Sequence, residues 1–280
     1  MKCFIEMCDK NKSIPSCDGI ILPLEGYAVE SICSYTMDEI QKIMNDFSGL
    51  VFVKVNRNFF NEDLEGLKSV LKELDSLKVD GVFFYDLAVL QIKKELNLSL
   101  PLVWNQTHMV NNVRTCDYYY DKGVEYALLG KEITLEEIKE ILSKSKISCM
   151  VEVVSRPSVA FSKRKLVSNY YQDLGEEGSK ELLVKEKVTG DFYHVIEDSY
   201  GTCFYLNTVT NGTSVLSDLY EAGCPAIIMR EYGIEDFDEL VFDTMKYIED
   251  GCVDSSYISK YKKLGDSTNF FFKKTIYKVK

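Results

Sequence analysis

Short apolar segments and amphipathic segments alternate along most of the chain. Asp18–Leu24 and Leu50–Asn56 are apolar at almost every position, which is typical of strands covered on both faces. Other apolar residues recur at helical spacing after the capping-box sequences Thr36–Glu39 and Thr134–Glu137. This alternation predicts an α/β fold with a parallel sheet.

Eight apolar segments are predicted to be strands separated by helices. They are Lys2–Met7, Asp18–Leu24, Leu50–Asn56, Val79–Tyr85, Pro101–Asn105, Val124–Leu129, Cys149–Val154 and Ala226–Met229. The count fits a closed (β/α)8, TIM-barrel-like fold. An open doubly wound sheet is the alternative, but no glycine-rich phosphate-binding turn follows any of these segments.

Residues 155–212 interrupt the alternation. The segments Glu181–Lys187, Asp191–Glu197 and Thr202–Asn207 read as antiparallel strands, joined by the turn sequences Thr-Gly and Tyr-Gly. We therefore expect a β-rich insertion between strands 7 and 8, forming a lid over one rim of the barrel. With no linker or internal repeat elsewhere, residues 1–280 are predicted to form a single barrel domain that contains this lid.

Function in such a barrel is expected at the carboxyl ends of the strands. Glu152 is a carboxylate within an apolar strand, and burying it is costly without a partner. It could act as an acid/base or ligand-orienting carboxylate, or form a salt bridge to Arg156 or Arg230 at the rim. We predict Glu152, Arg156 and Asp198 as the catalytic candidates.

Polar residues near the other strand ends are candidates for ligand binding. Asn105 and His108 follow the fifth strand, and a histidine there could titrate near neutrality. Glu197 stands beside Asp198, and the pair could bind a cation or an amine, or form a solvated hairpin tip. The remaining candidates are Ser168, Asn169, Tyr170 and Arg230. No nucleophile elbow surrounds Ser168.

The net charge of −11 and the pI of about 4.9 argue against a surface that binds nucleic acid over its whole extent. Two local basic patches remain, Lys163–Lys165 and a lysine-rich tail beyond residue 259. Each could contact an anionic partner or serve as a solvated surface.

Cysteine spacing limits the metal cofactors that the sequence predicts, and hydropathy limits the predicted cellular location. The nine cysteines are scattered without a C-x-x-C pair, so no metal site is predicted. No apolar segment reaches the roughly 18–20 residues that a membrane helix needs. The first residues, M-K-C-F-I-E, contain no apolar run of signal-peptide length. We expect a soluble, cytoplasmic protein that does not enter a membrane.

Several motifs resemble the collagenase-like peptidase family U-32. They are E-V-V-S-R-P-S-V-A-F-S-K-R-K-L-V-S-N-Y-Y from Glu152, V-I-E-D-S-Y-G-T-C-F-Y-L-N from Val195, and L-Y-E-A-G-C-P-A-I-I-M-R from Leu219. Thr268–Tyr277 is a degenerate version of the family's aromatic closing motif. The resemblance implies a barrel-like fold that binds a peptide or a nucleotide at its mouth.

The same resemblance implies a peptidase, an RNA hydroxylase or a hydroxylase of a quinone precursor. The hydroxylases of the family hold an iron–sulfur cluster on cysteines in and after the S-N-Y loop. Those positions are Ser158 and Lys165 here, and no cysteine lies between Tyr170 and Glu197. The final strand motif also differs, since Met229–Tyr232 reads M-R-E-Y. We therefore expect no iron–sulfur cofactor, because such a cluster needs thiolates.

Three functions follow as hypotheses. The first is a divergent, U-32-type peptidase-like hydrolase, or a pseudoenzyme, that retains a peptide or nucleotide ligand. The second is a non-catalytic partner of a cluster-bearing paralogue that hydroxylates RNA or a quinone precursor. The third is an unrelated barrel enzyme that acts on a small anion through Arg156 and Arg230.

Overall fold

The computed structural model describes residues 1–106, 109–265, 268 and 270–272. Within these ranges, eight parallel strands pair in a closed ring with helices outside it, and the predicted TIM-barrel-like fold is confirmed. In chain order the strands are β1 (Lys2–Glu6), β2 (Gly19–Pro23), β3 (Leu50–Val55), β4 (Gly81–Phe84), β5 (Leu102–Trp104), β6 (Tyr126–Leu128), β7 (Ser148–Ser155), β8 (Ser158–Ser162), β9 (Glu181–Lys185), β10 (Phe192–Glu197), β11 (Thr202–Leu206), β12 (Thr210–Asn211) and β13 (Ala226–Arg230).

The barrel consists of β1 to β7 and β13. Each neighbour in this series is parallel, β6 pairs with β7, and β13 lies between β7 and β1, which closes the ring. Strands covered on both faces require apolar side chains at successive positions. This requirement explains why the segments read as continuous apolar runs, and why sequence reasoning finds their positions to within about two residues.

Side chains alternate between the barrel interior and the helix-facing side. The interior holds one buried apolar cluster, whose members are Phe4, Ile21, Phe52, Phe83, Val103, Leu128, Met150, Ala226 and Ile228. The intervening residues, such as Ile5, Val53 and Val151, pack in a second cluster with the helices. The barrel is thus a packed core, and a ligand has room only at its ends.

Nine α-helices lie within the described residues. They are α1 (Met37–Asp46), α2 (Leu64–Leu77), α3 (Leu87–Glu95), α4 (Val113–Asp121), α5 (Leu135–Lys144), α6 (Leu166–Leu174), α7 (Leu216–Glu221), α8 (Phe237–Glu249) and α9 (Ser255–Tyr261). Both predicted capping boxes are present, at the starts of α1 and α5. None of these helices is long and apolar enough to span a membrane.

Two helix starts differ in how they are capped. Helix α4 follows β5 and is capped by the Asn112 side chain. Only Cys116 and Tyr119 of this helix are buried, so its apolar periodicity is weak. Helix α2 is preceded by a 3-10 turn that begins at Asn61, where the Asp63 carboxylate accepts a hydrogen bond from the Phe60 N–H at 2.8 Å.

Residues between β7 and β13 contain a second, four-stranded antiparallel sheet, which we call the inserted sheet. Its strand order is β8-β11-β10-β9, and it includes the three predicted strands. Strand β8 and helix α6 are additional to the prediction. Gly201 permits the turn into β11, because a Cβ there would lie 2.1 Å from the carbonyl oxygen of Ser162. The lid role of residues 155–212 stays a prediction.

Candidate functional site

Charged side chains form a layer at the carboxyl ends of the barrel strands. Residues two apart on a strand share a face, so the positions two beyond the interior apolar residues also point inward. Phe4, Phe52, Met150 and Ile228 belong to that apolar interior. The corresponding inward positions two residues further along are Glu6, Lys54, Glu152 and Arg230.

These four residues and Lys131 form an ion-pair network in which Glu6, Lys54 and Glu152 are buried and Arg230 and Lys131 are partly exposed. Glu152 accepts from Arg230 Nε at 2.6 Å and from Lys131 Nζ at 2.6 Å. Glu6 contacts Arg230 and lies 3.1 Å from Lys54 Nζ. Charges of both signs thus alternate around the mouth, which offsets part of the desolvation that burial imposes.

The charge neighbours keep both carboxyl groups ionised. Burial alone would raise the pKa of Glu152, but the positive charges of Lys131 and Arg230 lower it well below its ordinary value. Burial would likewise raise the pKa of Glu6, and the charges of Arg230 and Lys54 lower it. Neither carboxyl is therefore poised as a general acid near neutral pH.

A register shift beside Glu152 brings a further partner to it. Ile228 pairs with Glu152 and Met229 pairs with Val154, so Val153 is an extra residue on β7. In a regular strand, residues three apart point to opposite faces. After the bulge, the Ser155 hydroxyl reaches Glu152 Oε1 at 2.5 Å. The hydroxyl of Ser155 is thus engaged in fixing the carboxylate.

Lys54 ties the charged layer to the loop after β2. Its ammonium group donates to the carbonyl oxygen of Glu30 at 3.0 Å and to the Ser31 hydroxyl at 2.7 Å. Glu30 has a φ of 56°, in the left-handed region that few side chains adopt. Its carboxylate accepts from the Ser158 hydroxyl at 3.1 Å, which joins the loop to the inserted sheet.

The inserted sheet lies beside the mouth, and two of the spaces there share lining residues. A chamber of about 30 Å³ adjoins the ion-pair network, large enough for about one water molecule. A wider cleft of about 260 Å³ lies between the ends of the barrel strands and β8. Residues that line the cleft include Glu30, Asn56, Asn58, Tyr85, Ser158 and Phe161.

Asn105 lines both spaces and has an unused acceptor. The residue is only 4% exposed. No described residue donates a hydrogen bond to its Oδ1 atom. A buried polar atom without a partner is costly, and such atoms are found where a ligand or water completes the bond. Asn56 differs, since its Oδ1 accepts from the Val29 N–H at 3.0 Å.

Arg156 lines the small chamber opposite Arg230. Its guanidinium lies 5.3 Å from the centre of the Tyr232 ring, and burial lowers its pKa. Gly233 makes room for it, because a Cβ there would lie 2.3 Å from Arg156 Nε. Among the described residues, no carboxylate forms an ion pair with Arg156. The chamber therefore contains a cation that an acceptor group on a ligand could contact.

The structure places other predicted residues away from this network. Glu197 accepts from the backbone N–H of Val167 at 2.8 Å and from the hydroxyl of Ser168, at the start of α6. Burial would raise the pKa of Glu197, and these hydrogen bonds lower it. Asp198 accepts from the N–H groups of Tyr200 and Gly201 within the turn.

Of the predicted site residues, the mouth unites Asn105, Glu152, Arg156 and Arg230. Asn169 and Tyr170 are exposed on α6. The other four lie elsewhere. Ser168 is at the start of α6, Glu197 is the last residue of β10, Asp198 is in the turn before β11, and His108 is outside the described residues. Ligand binding by any of these residues remains a prediction.

Sequence reasoning missed three residues of the mouth. Lys54 carried a usable signal, since it is a lysine inside an apolar strand, two positions before Asn56. Lys131 follows the sixth barrel strand after a glycine and looks like any loop lysine. Glu30 reaches the site through a contact with Ser158 across 128 positions of sequence, which no local pattern indicates.

An iron–sulfur cluster would need thiolate ligands. Burial raises the pKa of Cys8, Cys17, Cys203 and Cys224 to about 12 in the protein without a metal. Among the described residues, no group of three or more His, Cys, Asp or Glu side chains is arranged to hold a metal ion. The absence of an iron–sulfur cofactor stays a prediction.

A larger cleft, of about 460 Å³, lies beside α1, away from the network. Two of its charged residues are engaged with each other: Lys10 Nζ lies 2.7 Å from Glu39, whose carboxylate also caps α1. The mouth is the stronger candidate site, since most of its polar groups are buried and Asn105 Oδ1 and Arg156 Nε lack a partner among the described residues.

Fold and site together define a TIM-barrel-like protein with a charged mouth beside an inserted β-sheet. The model of Peptidase family U32 matches residues 32–180, more than half of the chain. The chain therefore belongs to peptidase family U32, and the resemblance found from its motifs is confirmed.

Three curated relatives are similar to the chain. tRNA hydroxylation protein P2 of Bacillus subtilis is 27% identical over 254 residues, covering 81% of each protein. tRNA hydroxylation protein P1 of the same organism is 20% identical over 157 residues, 55% of this chain and 37% of P1. Uncharacterized protease MJ0090 of Methanocaldococcus jannaschii is 30% identical over 134 residues, 46% of this chain and 32% of that protein.

Among solved structures, thiamine phosphate pyrophosphorylase from Pyrococcus furiosus is similar in shape. The match has a TM-score of 0.48 at 12% identity and covers 90% of this chain and 97% of that protein.

Proposed function

We propose that the chain takes part in tRNA hydroxylation as a cluster-free family member that binds a nucleotide of the substrate at its barrel mouth. A cluster-bearing paralogue would supply the redox chemistry. Similarity to P2 over 81% of both proteins supports the pathway, and the further similarity to P1 supports a two-protein system. A cytoplasmic location, where tRNA is found, agrees with this role.

One observation carries the proposal. The mouth retains a polar cleft with an unused acceptor on Asn105, while the positions that would hold the cluster cysteines are Ser158 and Lys165. Ser158 itself lines the cleft and bonds to Glu30. In this proposal, a binding site is retained beside the position from which the redox ligand is missing.

The cleft is suited to a nucleobase. A space of about 260 Å³ is below the size of most drug pockets and fits one unstacked base. Asn56, Asn58 and Asn105 offer amides for the edges of a base, and Tyr85 and Phe161 offer aromatic rings. This combination is how proteins commonly read single-stranded RNA.

A basic segment beside the cleft could contact the tRNA backbone. Lys163, Arg164 and Lys165 are exposed between β8 and α6. Lys163 Nζ donates to the carbonyl oxygen of Asn58, a residue of the cleft, at 3.0 Å and lies over the Phe60 ring. Local positive charge can attract phosphates even though the whole chain is acidic.

Genetic complementation tests the proposal. We expect the chain to restore hydroxylated tRNA, measured by mass spectrometry of nucleosides, in a Bacillus subtilis strain that lacks P2. The variant Asn105→Leu should fail at equal protein level. Failure of the wild-type chain in a strain where P2 itself succeeds would contradict the assignment.

Cofactor content is the second test. Protein purified without oxygen should contain no stoichiometric iron or acid-labile sulfide, and a larger, cysteine-bearing relative should copurify with it. Stoichiometric cluster in this chain would instead make it a hydroxylase in its own right.

A peptidase is the other candidate function, favoured by the match to MJ0090. Peptide hydrolysis needs an activated nucleophile or water. Ser155, the hydroxyl nearest Glu152, is 1% exposed and is held by that carboxylate. Cleavage of gelatin by the purified chain would establish the peptidase and remove the pseudoenzyme hypothesis.

A further inference from the structure

Strand β9 forms the outer edge of the inserted sheet. Among the described residues it pairs with β10 alone, so one of its backbone edges is open. Open edges can pair with another chain, and proteins usually shield them with charges, prolines or bulges. Here the sequence is E-L-L-V-K, with charges at its two ends only.

The hydrogen-bond phase shows which residues present free groups. Glu186 N donates to Asp191 O at 2.8 Å, and Glu197 N donates to Lys180 O at 2.9 Å, on either side of the β9–β10 ladder. Along an antiparallel strand, the backbone groups of successive residues point alternately to one neighbouring strand and to the other side. The N–H and C=O groups of Leu182 and Val184 therefore point to β10, as those of Lys180 and Glu186 do. The backbone groups of Glu181, Leu183 and Lys185 point to the open edge.

The open edge is also apolar at its centre. Leu183 is 57% exposed and Val184 is 40% exposed. Apolar side chains along an unpaired edge favour the addition of another strand.

The sequence of β9 is complementary to itself in antiparallel pairing. With Leu183 opposite its own copy, Glu181 of one chain faces Lys185 of the other, and Leu182 faces Val184. The hydrogen-bonded positions in this register are 181, 183 and 185, the same residues whose backbone groups point outward. The direction of the backbone groups, the apolar contacts and the opposite charges therefore all favour this one register.

We propose that β9 pairs with β9 of a second copy of this chain, forming a two-fold symmetric dimer. The two inserted sheets then join into one continuous sheet with two ion pairs between Glu181 and Lys185. The pairing is isologous and closes on itself, so it gives a dimer and not a fibre.

Two local contacts give way when the dimer forms. The Glu181 N–H donates to the Ser179 hydroxyl at 3.1 Å, and a carbonyl of the second copy takes its place. The Lys185 ammonium lies 5.4 Å from the centre of the Phe192 ring and turns to meet Glu181. Both groups are exposed, so these exchanges leave the fold of each subunit unchanged.

Sedimentation velocity of the full chain tests the proposal with charge-swapped variants. The wild type is expected to dimerise with a micromolar dissociation constant, because two strands bury less area than a standard interface. Glu181→Lys or Lys185→Glu creates two like-charge pairs and should weaken the dimer on the order of tenfold. The double variant Glu181→Lys/Lys185→Glu restores opposite charges and should regain the wild-type constant.

Val188→Ala is the matched control, since Val188 is 90% exposed but lies outside the strand. It should leave the dimer unchanged, and all variants should keep the wild-type Tm. A wild type that stays monomeric at high micromolar concentration overturns the proposal. The proposal is also overturned if the single variants leave the dissociation constant unchanged, or if the double variant dimerises as weakly as either single variant.

Discussion

Arg230 Nε lies 2.6 Å from Glu152 Oε2, and this ion pair joins β13 to β7 at the mouth of the barrel. The bulge at Val153 lies immediately beyond Glu152, where it also recruits the Ser155 hydroxyl. Arg230 in turn contacts Glu6 on β1, so one guanidinium bridges carboxylates from two strands. The network also contacts the cleft, because Lys54 donates to the carbonyl oxygen of Glu30, which lines it.

Replacing Glu152 should destabilise the fold. Glu152→Gln removes the carboxylate shared by Lys131 and Arg230, and removing one partner of a buried ion pair costs about 3–5 kcal/mol. Urea unfolding at neutral pH measures the change. Glu140→Gln, which removes an exposed pair with Lys144, is the control and should cost less than about 0.5 kcal/mol. Equal effects of the two variants would show that the network contributes little.

Acid should weaken the protein through the same carboxyl groups. The pKa values of Glu6 and Glu152 are lower in the folded protein than their ordinary value of 4.5. Folded protein therefore binds fewer protons, and this stability is complete above about pH 4.5 and is lost as the pH falls through the lowered values. Urea unfolding across this range should show a weaker pH dependence for Glu152→Gln. If the free energy of unfolding of Glu152→Gln depended on pH as steeply as that of the wild type, Glu152 would not be a source of the acid sensitivity.

Asn105 should separate stability from function. Its Oδ1 atom lacks a donor among the described residues, so Asn105→Leu should leave the Tm unchanged or slightly raised while abolishing complementation. Asn56→Leu is the matched control. It leaves the buried Val29 N–H without its acceptor, which should lower the free energy of unfolding by about 1–3 kcal/mol. If Asn105→Leu unfolds the protein instead, a structural role explains the buried amide.

The amino-acid pattern predicts the barrel better than its mouth. Strands covered on both faces and helices with capping boxes carry local signals, which is why β3 and α5 are found directly from sequence. Helix α4 is not evident from the sequence because two of its three tyrosines, Tyr118 and Tyr120, are exposed, and apolar periodicity indicates burial.

The mouth depends on contacts between distant parts of the chain. Glu152 and Arg230 could be proposed from sequence because both lie at the ends of apolar strands. The hydrogen bond between Ser158 and Glu30 could not be proposed from sequence, since it requires the inserted sheet to lie beside the loop after β2. The role of Glu197 could not be predicted from sequence either. Its carboxylate accepts from the Val167 N–H at the start of α6, whereas the sequence alone indicates a solvated acid near a hairpin tip.

Gly233 should prove necessary for the position of Arg156. Its φ of 78° disfavours a side chain, and a Cβ would collide with the guanidinium. Gly233→Ala should therefore cost about 1–3 kcal/mol in thermal or urea unfolding. In an Arg156→Ala background the collision disappears and only the backbone strain remains, so the cost should fall. An identical cost in both backgrounds would place the whole effect in the backbone.

The basic segment beside the cleft gives a prediction about tRNA. Replacing Lys163, Arg164 and Lys165 with glutamine removes three exposed positive charges next to Asn58. If they bind phosphates, tRNA affinity should fall, and the slope of log K against log salt should become shallower by about one for each phosphate that is no longer neutralised. Filter binding at several salt concentrations measures both quantities. Lys144→Gln on α5 is the control, because Lys144 pairs with Glu140 on an exposed helix face of the barrel. A triple variant with the wild-type salt slope would show that tRNA reaches the mouth by another surface.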